Sequence, residues 1–283
     1  MKSSMKRLIC CILTIAVLFS AINISHTIPS DAAATSDVSA ASNVGKKQLY
    51  SEIAKHLLKR EKRFSVSCSY TTVVRSLIDR LCGESESGFY HALYDITHAT
   101  DNPKTTDDGD YLYGILWGAN CYYADGRLCF YGVKYFETKK QTRIVNQYTR
   151  KTARKIMKKT RNKYERLKLA YSFVVNRITY DTRKKCFYSA YAGYVKRKTV
   201  CNGYALMLYK LLMEMGFPAR FISGKVTNGK KWYLHAWNKV KYRGKWYNLD
   251  ACSDDEDDGQ VYGDFFMKKN KKFSRTHRAD AFY

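Results

Sequence analysis

The chain has 283 residues, a formal net charge of +25, 45% apolar residues and 24 tyrosines. That length holds one large or two small domains with a real core, and the apolar and aromatic content excludes disorder beyond the N-terminus. The charge fits an anionic surface as partner, whereas the absence of a nucleic-acid recognition motif argues against nucleic acid.

Residues 1–34 read as a secretory signal peptide. Lys2, Lys6 and Arg7 precede an apolar run over 8–22, and small residues follow at Ala32, Ala33 and Ala34. The run is short for a membrane span, and an uncleaved N-terminal anchor is the alternative. Removing these residues takes away three basic residues and one acidic residue and leaves +23. The expectation is a secreted or cell-surface protein that dwells near anionic cell-wall polymers, has no nucleic-acid partner and keeps no stable membrane span after signal cleavage. The bland alternative is that much of this charge is a solvated helix face, as over residues 139–163.

Nine cysteines stand at 10, 11, 68, 82, 121, 129, 186, 201 and 252. Setting aside the two in the signal segment and Cys201, six remain, enough for three bridges in an oxidising compartment, with the connectivity open. No Cys-x-x-Cys pair or Cys/His cluster has zinc-site spacing, and no glycine motif cradles a phosphate, so no metal and no cofactor are expected.

Residues 35–46 are small and polar and read as a linker. An N-terminal region over 47–160 follows. Leu49, Ile53 and Leu57 predict a helix over 47–60, and a second spans 73–81, stopped by Gly83. Residues 91–110, with Asp-Asn-Pro and Asp-Asp-Gly clusters, read as loop. Residues 111–131 predict a hairpin about a three-residue loop, Ala124-Asp125-Gly126, which would set Cys121 opposite Cys129.

Amphipathic helices are predicted over 138–157 and from 164, the latter with Leu167, Ala170, Tyr171, Val174 and Ile178 on one side. The insert 182–198 carries Phe187, Tyr188, Tyr191 and Tyr194, which could line an acyl-binding groove or simply pack. Tyr191 is a candidate oxyanion donor.

Within a region read as one domain over 161–283, Thr199-Val-Cys201-Asn-Gly-Tyr-Ala205 delivers a cysteine onto the start of an apolar helix that stops at Gly216, with Pro218 beyond. A helix N-terminus favours negative charge, hence the thiolate that attacks carbonyl carbon. A lone helical cysteine usually just packs. What decides otherwise lies downstream, where residues 232–242 and 245–252 predict a hairpin turning at Arg243-Gly244. Continued outward, that register sets Trp237 against Asp250 and His235 against Cys252, with His235 and Asp250 diagonal on one face. Cys201 as nucleophile, His235 as base and Asp250 as its orienter form a cysteine triad. The acidic run over 254–258 lacks the glutamate a calcium loop needs at its twelfth position, where Phe265 stands, and reads as a solvated loop.

Val200-Cys-Asn-Gly-Tyr-Ala205, His235-Ala-Trp-Asn-Lys-Val240 and Lys245-Trp-Tyr-Asn-Leu-Asp250, with Val175-Asn-Arg-Ile-Thr-Tyr-Asp181 and Gly216-Phe-Pro-Ala-Arg220, resemble the core of the transglutaminase-like superfamily. That family's fold is related to papain, and the likeness covers about 120 residues, 164–278. It implies Cys201 as nucleophile, His235 as general base and Asp250 as orienter. Bacterial relatives often follow the aspartate with Thr-Trp, whereas Ala251-Cys252 follows here. The N-terminal part resembles the helical-plus-hairpin region preceding the core in many secreted bacterial relatives.

The expected fold is α+β: a papain-like core with the nucleophile helix packed on an antiparallel sheet, plus a smaller N-terminal helical-plus-hairpin region. The expected function is acyl transfer on protein or peptide amides through a Cys201 thioester. A peptidase or amidase acting on cell-wall or protein peptides would use the same residues, and a non-catalytic surface-binding module is the non-enzyme alternative. Cys252, near His235 in this register, could resolve Cys201 as a redox latch, pack passively or pair with Cys186.

Overall fold

The computed structural model describes residues 38–83, 85–99, 109–182, 188–255, 263–281 and 283. The signal-peptide reading and Cys186 lie outside them. The chain opens with α1 (Val38–Leu58) and β1 (Phe64–Ser67), then α2 (Thr72–Cys82), α3 (Glu86–His98) and α4 (Gly109–Ile115). The hairpin β2 (Leu116–Ala124) and β3 (Arg127–Tyr135) follows, then α5 (Lys139–Lys159) and α6 (Lys163–Arg177). Next come β4 (Thr179–Tyr180), a π-helical turn (Ala192–Lys196), β5 (Lys198–Thr199) and α7 (Cys201–Glu214). The last elements are β6 (Ala219–Thr227), β7 (Trp232–Tyr242), β8 (Lys245–Leu249), α8 (Asn270–Phe273) and β9 (His277–Ala279). Helices packed on antiparallel sheets make this an α+β fold.

The central element is α7. Every residue from Gly203 to Leu212 is buried, the mark of a helix wrapped on all sides. It packs against β7 and β6 on one side and against α5, α6 and α4 on the others. Even Lys210 is buried; its Nζ lies 3.9 Å from the Tyr111 ring centroid and donates to Asn146 Oδ1 at 2.5 Å. The sheet beneath α7 runs β8-β7-β6-β9, antiparallel throughout. Arg243 (φ 48°) and Gly244 (φ 77°) close the β7–β8 turn, and Tyr242 faces Lys245 as the sequence predicts. One hydrophobic core runs from Leu49 in α1 to Ala251, so α5 and α6, on either side of residue 160, share it.

Five expectations need correction. The helix begins at Val38, inside the stretch read as linker, because Ala40 and Ala41 are strong helix formers and the run joins the turns that bury Leu49, Tyr50 and Ile53. Much of the predicted loop 91–110 is helical: Ser85 caps α3, and Ala92, Leu93 and Ile96 form a buried stripe, while the two turn-like clusters lie largely outside the described residues.

Residues 109–115 are helix rather than strand, buried on every side, with Gly114 so close to Leu206 that a Cβ there would meet its Cδ2 at 2.6 Å. The β2–β3 turn has two residues, Asp125 (φ 49°) and Gly126 (φ 69°), and that moves the register by one. Cys121 therefore faces Phe130, and Tyr122 faces Cys129. Last, Asp254 is not a solvated carboxylate: it is buried and accepts hydrogen bonds from Tyr171 Oη and the Phe265 N–H, while Asp255 accepts from Tyr204 Oη.

The other predicted helices form where expected. α2 is capped by Thr71 and stops at Gly83. α5 starts with a capping box in which Thr138 and Gln141 bond reciprocally, and Asn162 caps α6. No helix among the described residues is long and apolar enough to cross a membrane.

Candidate active site

Cys201 is the first residue of α7, half-buried, after an extended Val200 that supplies no side-chain cap. The positive end of the α7 dipole therefore faces its thiol uncapped. The next two residues fix its place. Asn202 Nδ2 donates to the carbonyls of Gly114 (2.9 Å) and Tyr188 (2.6 Å), tying the helix start to α4 and to the insert. Gly203 admits no side chain: a Cβ there would lie 2.0 Å from Thr199 Oγ1 and 2.8 Å from the Ser189 carbonyl. Upstream, β5 pairs in parallel with β4, so the strand that delivers Cys201 is itself anchored.

His235 sits in the middle of β7, opposite Gly224 of β6. Three residues on, Asn238 Nδ2 donates to the Ala205 carbonyl at 3.0 Å, clamping β7 to the first turns of α7. Trp237 Nε1 donates to Asn248 Oδ1 at 3.3 Å, joining β7 to β8. These contacts bring the His235 ring to the Cys201 thiol, which helps to keep the imidazole charged. The ring's Nε2 lies 2.8 Å from Asp250 Oδ2, which leaves Nδ1 for the sulfur. The structure thus joins the three residues singled out in the sequence in one chain of contacts.

Asp250 follows the last residue of β8 and is 1% exposed. Its Oδ1 accepts from the N–H groups of Cys252 (3.1 Å) and Ser253 (3.2 Å), a turn that ends the strand. Its Oδ2 accepts from His235, from Ser253 Oγ at 2.5 Å and from His277 Nε2 at 3.0 Å. Burial alone would raise this carboxyl, but the two imidazoles outweigh it and hold Asp250 well below the usual carboxylate range. Burial alone would likewise lower His235; the Asp250 carboxylate and then Cys201 reverse that and hold it well above its ordinary value. A buried carboxylate beside a buried imidazole favours the charged form of both.

Because Asp250 turns the chain, β7–β8 pairing ends at Asn238↔Leu249. The expected Trp237–Asp250 and His235–Cys252 pairs do not form, so the register argument that set Cys252 across from His235 fails. Cys252 instead gives its N–H to Asp250. Cys68, Cys82, Cys121, Cys129, Cys201 and Cys252 are all thiols. The Tyr191 N–H donates to buried Glu137 at 3.1 Å, which anchors the insert through backbone.

His277 and Ser253 were missed by the sequence reading. His277 is an isolated histidine in a three-residue strand, and only the pairing of β9 with β6 brings it to Asp250. His235, Asp250 and His277 have ligand-type atoms within 4.8 Å of one another. Both imidazoles meet the same carboxylate oxygen through Nε2, so a metal ion there would have to displace both N–H protons.

Residues 150–251 match the family model of the transglutaminase-like superfamily. No curated protein matches the chain. Among solved structures, a provisionally named cysteine protease from Cytophaga hutchinsonii is 23% identical, with a TM-score of 0.34, over 38% of this chain and 37% of its own. A TGase is 17% identical with a TM-score of 0.37, over 58% of this chain and 50% of its own. The periplasmic domain of TgpA from Pseudomonas aeruginosa, bound to ethylmercury, is 15% identical with a TM-score of 0.29, over 44% and 54%. This chain thus spans about half or less of the length of each. The stretch that matches the transglutaminase-like superfamily model holds Cys201, His235 and Asp250.

Proposed function

We propose that the chain is a cysteine-dependent acyltransferase acting on protein or peptide amides. The observation that carries this reading is the buried His235–Asp250 contact at 2.8 Å, with Cys201 at the start of α7 beside the same imidazole.

In this mechanism the thiol proton passes to His235 Nδ1 first, and the Cys201 thiolate then attacks the amide carbonyl. The tetrahedral oxyanion sits at the start of α7, where the Cys201 backbone N–H donates to it. His235 then returns the proton to the leaving nitrogen, the C–N bond breaks, and ammonia or an amine departs from a thioester. An amine or water, deprotonated by His235, attacks the thioester carbonyl and expels the thiolate. Asp250 compensates the imidazolium through both attacks and keeps Nε2 protonated, so Nδ1 is the working base.

With an amine acceptor the product is a new amide; with water the same residues make a peptidase or amidase on cell-wall or protein peptides. A surface-binding module would keep the fold without needing this relay. Export, and residence near anionic wall polymers, belong to the same proposal: α5 alone carries nine lysines and arginines and no acidic residue.

The test is incubation with a glutamine-rich protein and a labelled primary amine, followed by peptide mapping. Amine incorporation supports transamidation and deamidation or cleavage supports hydrolysis. No turnover of any amide, with Cys201 labelling at the same rate in His235→Ala, favours the binding module.

A further inference from the structure

We propose that His277 is a positioning residue of this site: by donating its Nε2–H to the carboxylate oxygen that His235 also uses, it fixes Asp250 and thereby aims His235 Nδ1 at Cys201. The proposal rests on the assignment of Cys201, His235 and Asp250 given above.

The ionised Asp250 carboxylate can only accept hydrogen bonds. Of its five donors, three come from the turn that Asp250 itself starts: the N–H groups of Cys252 and Ser253 and the Ser253 hydroxyl. Donors within one turn move with the turn, so they set the carboxylate's orientation only relative to its own loop. His235 is the group to be positioned. His277, 27 residues downstream, is the remaining donor and comes from a separate element. It ties the carboxylate to the far side of the sheet, since β9 pairs with β6 and β6 carries Gly224 opposite His235.

The His277 ring is itself held firmly. It is 3% exposed and stacks on Phe273 at 3.8 Å between centroids, with Trp237 edge-on at 5.3 Å and Phe265 at 5.6 Å. Its Nδ1 lies 2.8 Å from Thr276 Oγ1. Burial first, and then the charge of His235, lower His277 although Asp250 pulls the other way. It therefore donates as a neutral imidazole and leaves the Asp250 charge to His235. A histidine that served only to fill space would need the stacking on Phe273 but not the bond to Asp250.

The test needs no substrate. Cys201 labelling by iodoacetamide is followed by peptide mapping between pH 5 and 9 in wild type, His235→Ala, His277→Phe, His277→Gln and His277→Asn, with melting temperatures measured alongside. Gln places an amide N–H where His Nε2–H lies; Asn is too short to reach; Phe keeps only the stacking. The expected result is labelling at pH 6 that falls about tenfold or more in His277→Phe and His277→Asn, less at pH 9, while His277→Gln stays within about threefold of wild type. Equal rates in all His277 variants, with His235→Ala slow, would reduce His277 to packing and leave the triad intact. Equal losses in Gln, Asn and Phe would tie the effect to ring packing and overturn the donor role. Labelling that ignores His235 altogether would sink the triad, and with it anything His277 could position. The Gln–Asn comparison holds even if His277→Phe does not fold.

Discussion

At the scale of single residues, the site depends on side chains that carry chemistry and on glycines that let them meet. Cys201→Ala should abolish acyl transfer and leave the melting temperature nearly unchanged, because a half-buried thiol at a helix start contributes little packing. Asp250→Asn should keep some activity, checked by steady-state kinetics, since it unsets the His235 tautomer without removing the nucleophile; a loss on the order of 10³–10⁴-fold in kcat is expected. Gly203→Ala should cost both fold and activity, because its Cβ would overlap Thr199 and Ser189 directly below the nucleophile. The nearness of His235 and Asp250, and the place of Cys201 at a helix start, were legible because each sits in a local pattern: a cysteine before an apolar helix, and a histidine and an aspartate either side of an Arg-Gly turn. His277 was not, because its approach to Asp250 depends on a strand pairing across about fifty residues, Gly224↔Ala279.

At the scale of elements, β9 is the short piece on which the second histidine depends, and its seat is Gly224. A Cβ on Gly224 would lie 2.2 Å from the Arg278 carbonyl and 2.9 Å from Ala279 Cα, both backbone atoms that cannot turn aside. Gly224→Ala should therefore push β9 off the sheet, with a stability loss of about 1–3 kcal/mol by chemical denaturation and slower Cys201 labelling. In the N-terminal region, α2 and β2 bring Cys82 and Cys121 to 3.8 Å between sulfurs. Their hydrogen bond, outweighing burial, lowers Cys82 to about 7, and the same bond with burial raises Cys121 well above its usual value.

Cys82 should thus attack glutathione disulfide first, and Cys121 should then displace the second glutathione, leaving one protein disulfide and two reduced glutathiones. Non-reducing peptide maps and a higher melting temperature, absent in Cys82→Ser, would register it. The hairpin turn at Arg243-Gly244 could be read from sequence because two residues decide it. α3 and α4 could not, since turn-forming clusters beside them masked a helix whose stripe is evident only once its partners are packed.

At the scale of the molecule, one core joins the N-terminal helices, α7 and the sheet, so the site rests on packing from both ends of the chain. Buried Asp254, beneath Tyr171 and close to Asp250, is raised to about 6, chiefly by burial. An acid raised in the folded state contributes stability below its unfolded value near 4 that is lost as pH rises through about 6. Between pH 4 and 7 the folded protein should therefore lose on the order of 2 kcal/mol from this group, whereas the stability from Asp250, whose value is lowered, is already in place above the unfolded carboxylate value near 4 and is lost only in more acid solution. Asp254→Asn should remove that component, and urea denaturation at several pH values would show stability falling less between pH 4 and 7 than in wild type.

The central claim is that Cys201 forms a thioester with the help of His235. A small activated ester such as p-nitrophenyl acetate bypasses the substrate groove and acylates the nucleophile directly. After acid quench, peptide mass mapping should find the acetyl group on the Cys201 peptide, removable by hydroxylamine, and strongly reduced in His235→Ala. An acetyl group on other residues only, or on Cys201 equally with and without His235, would contradict the account.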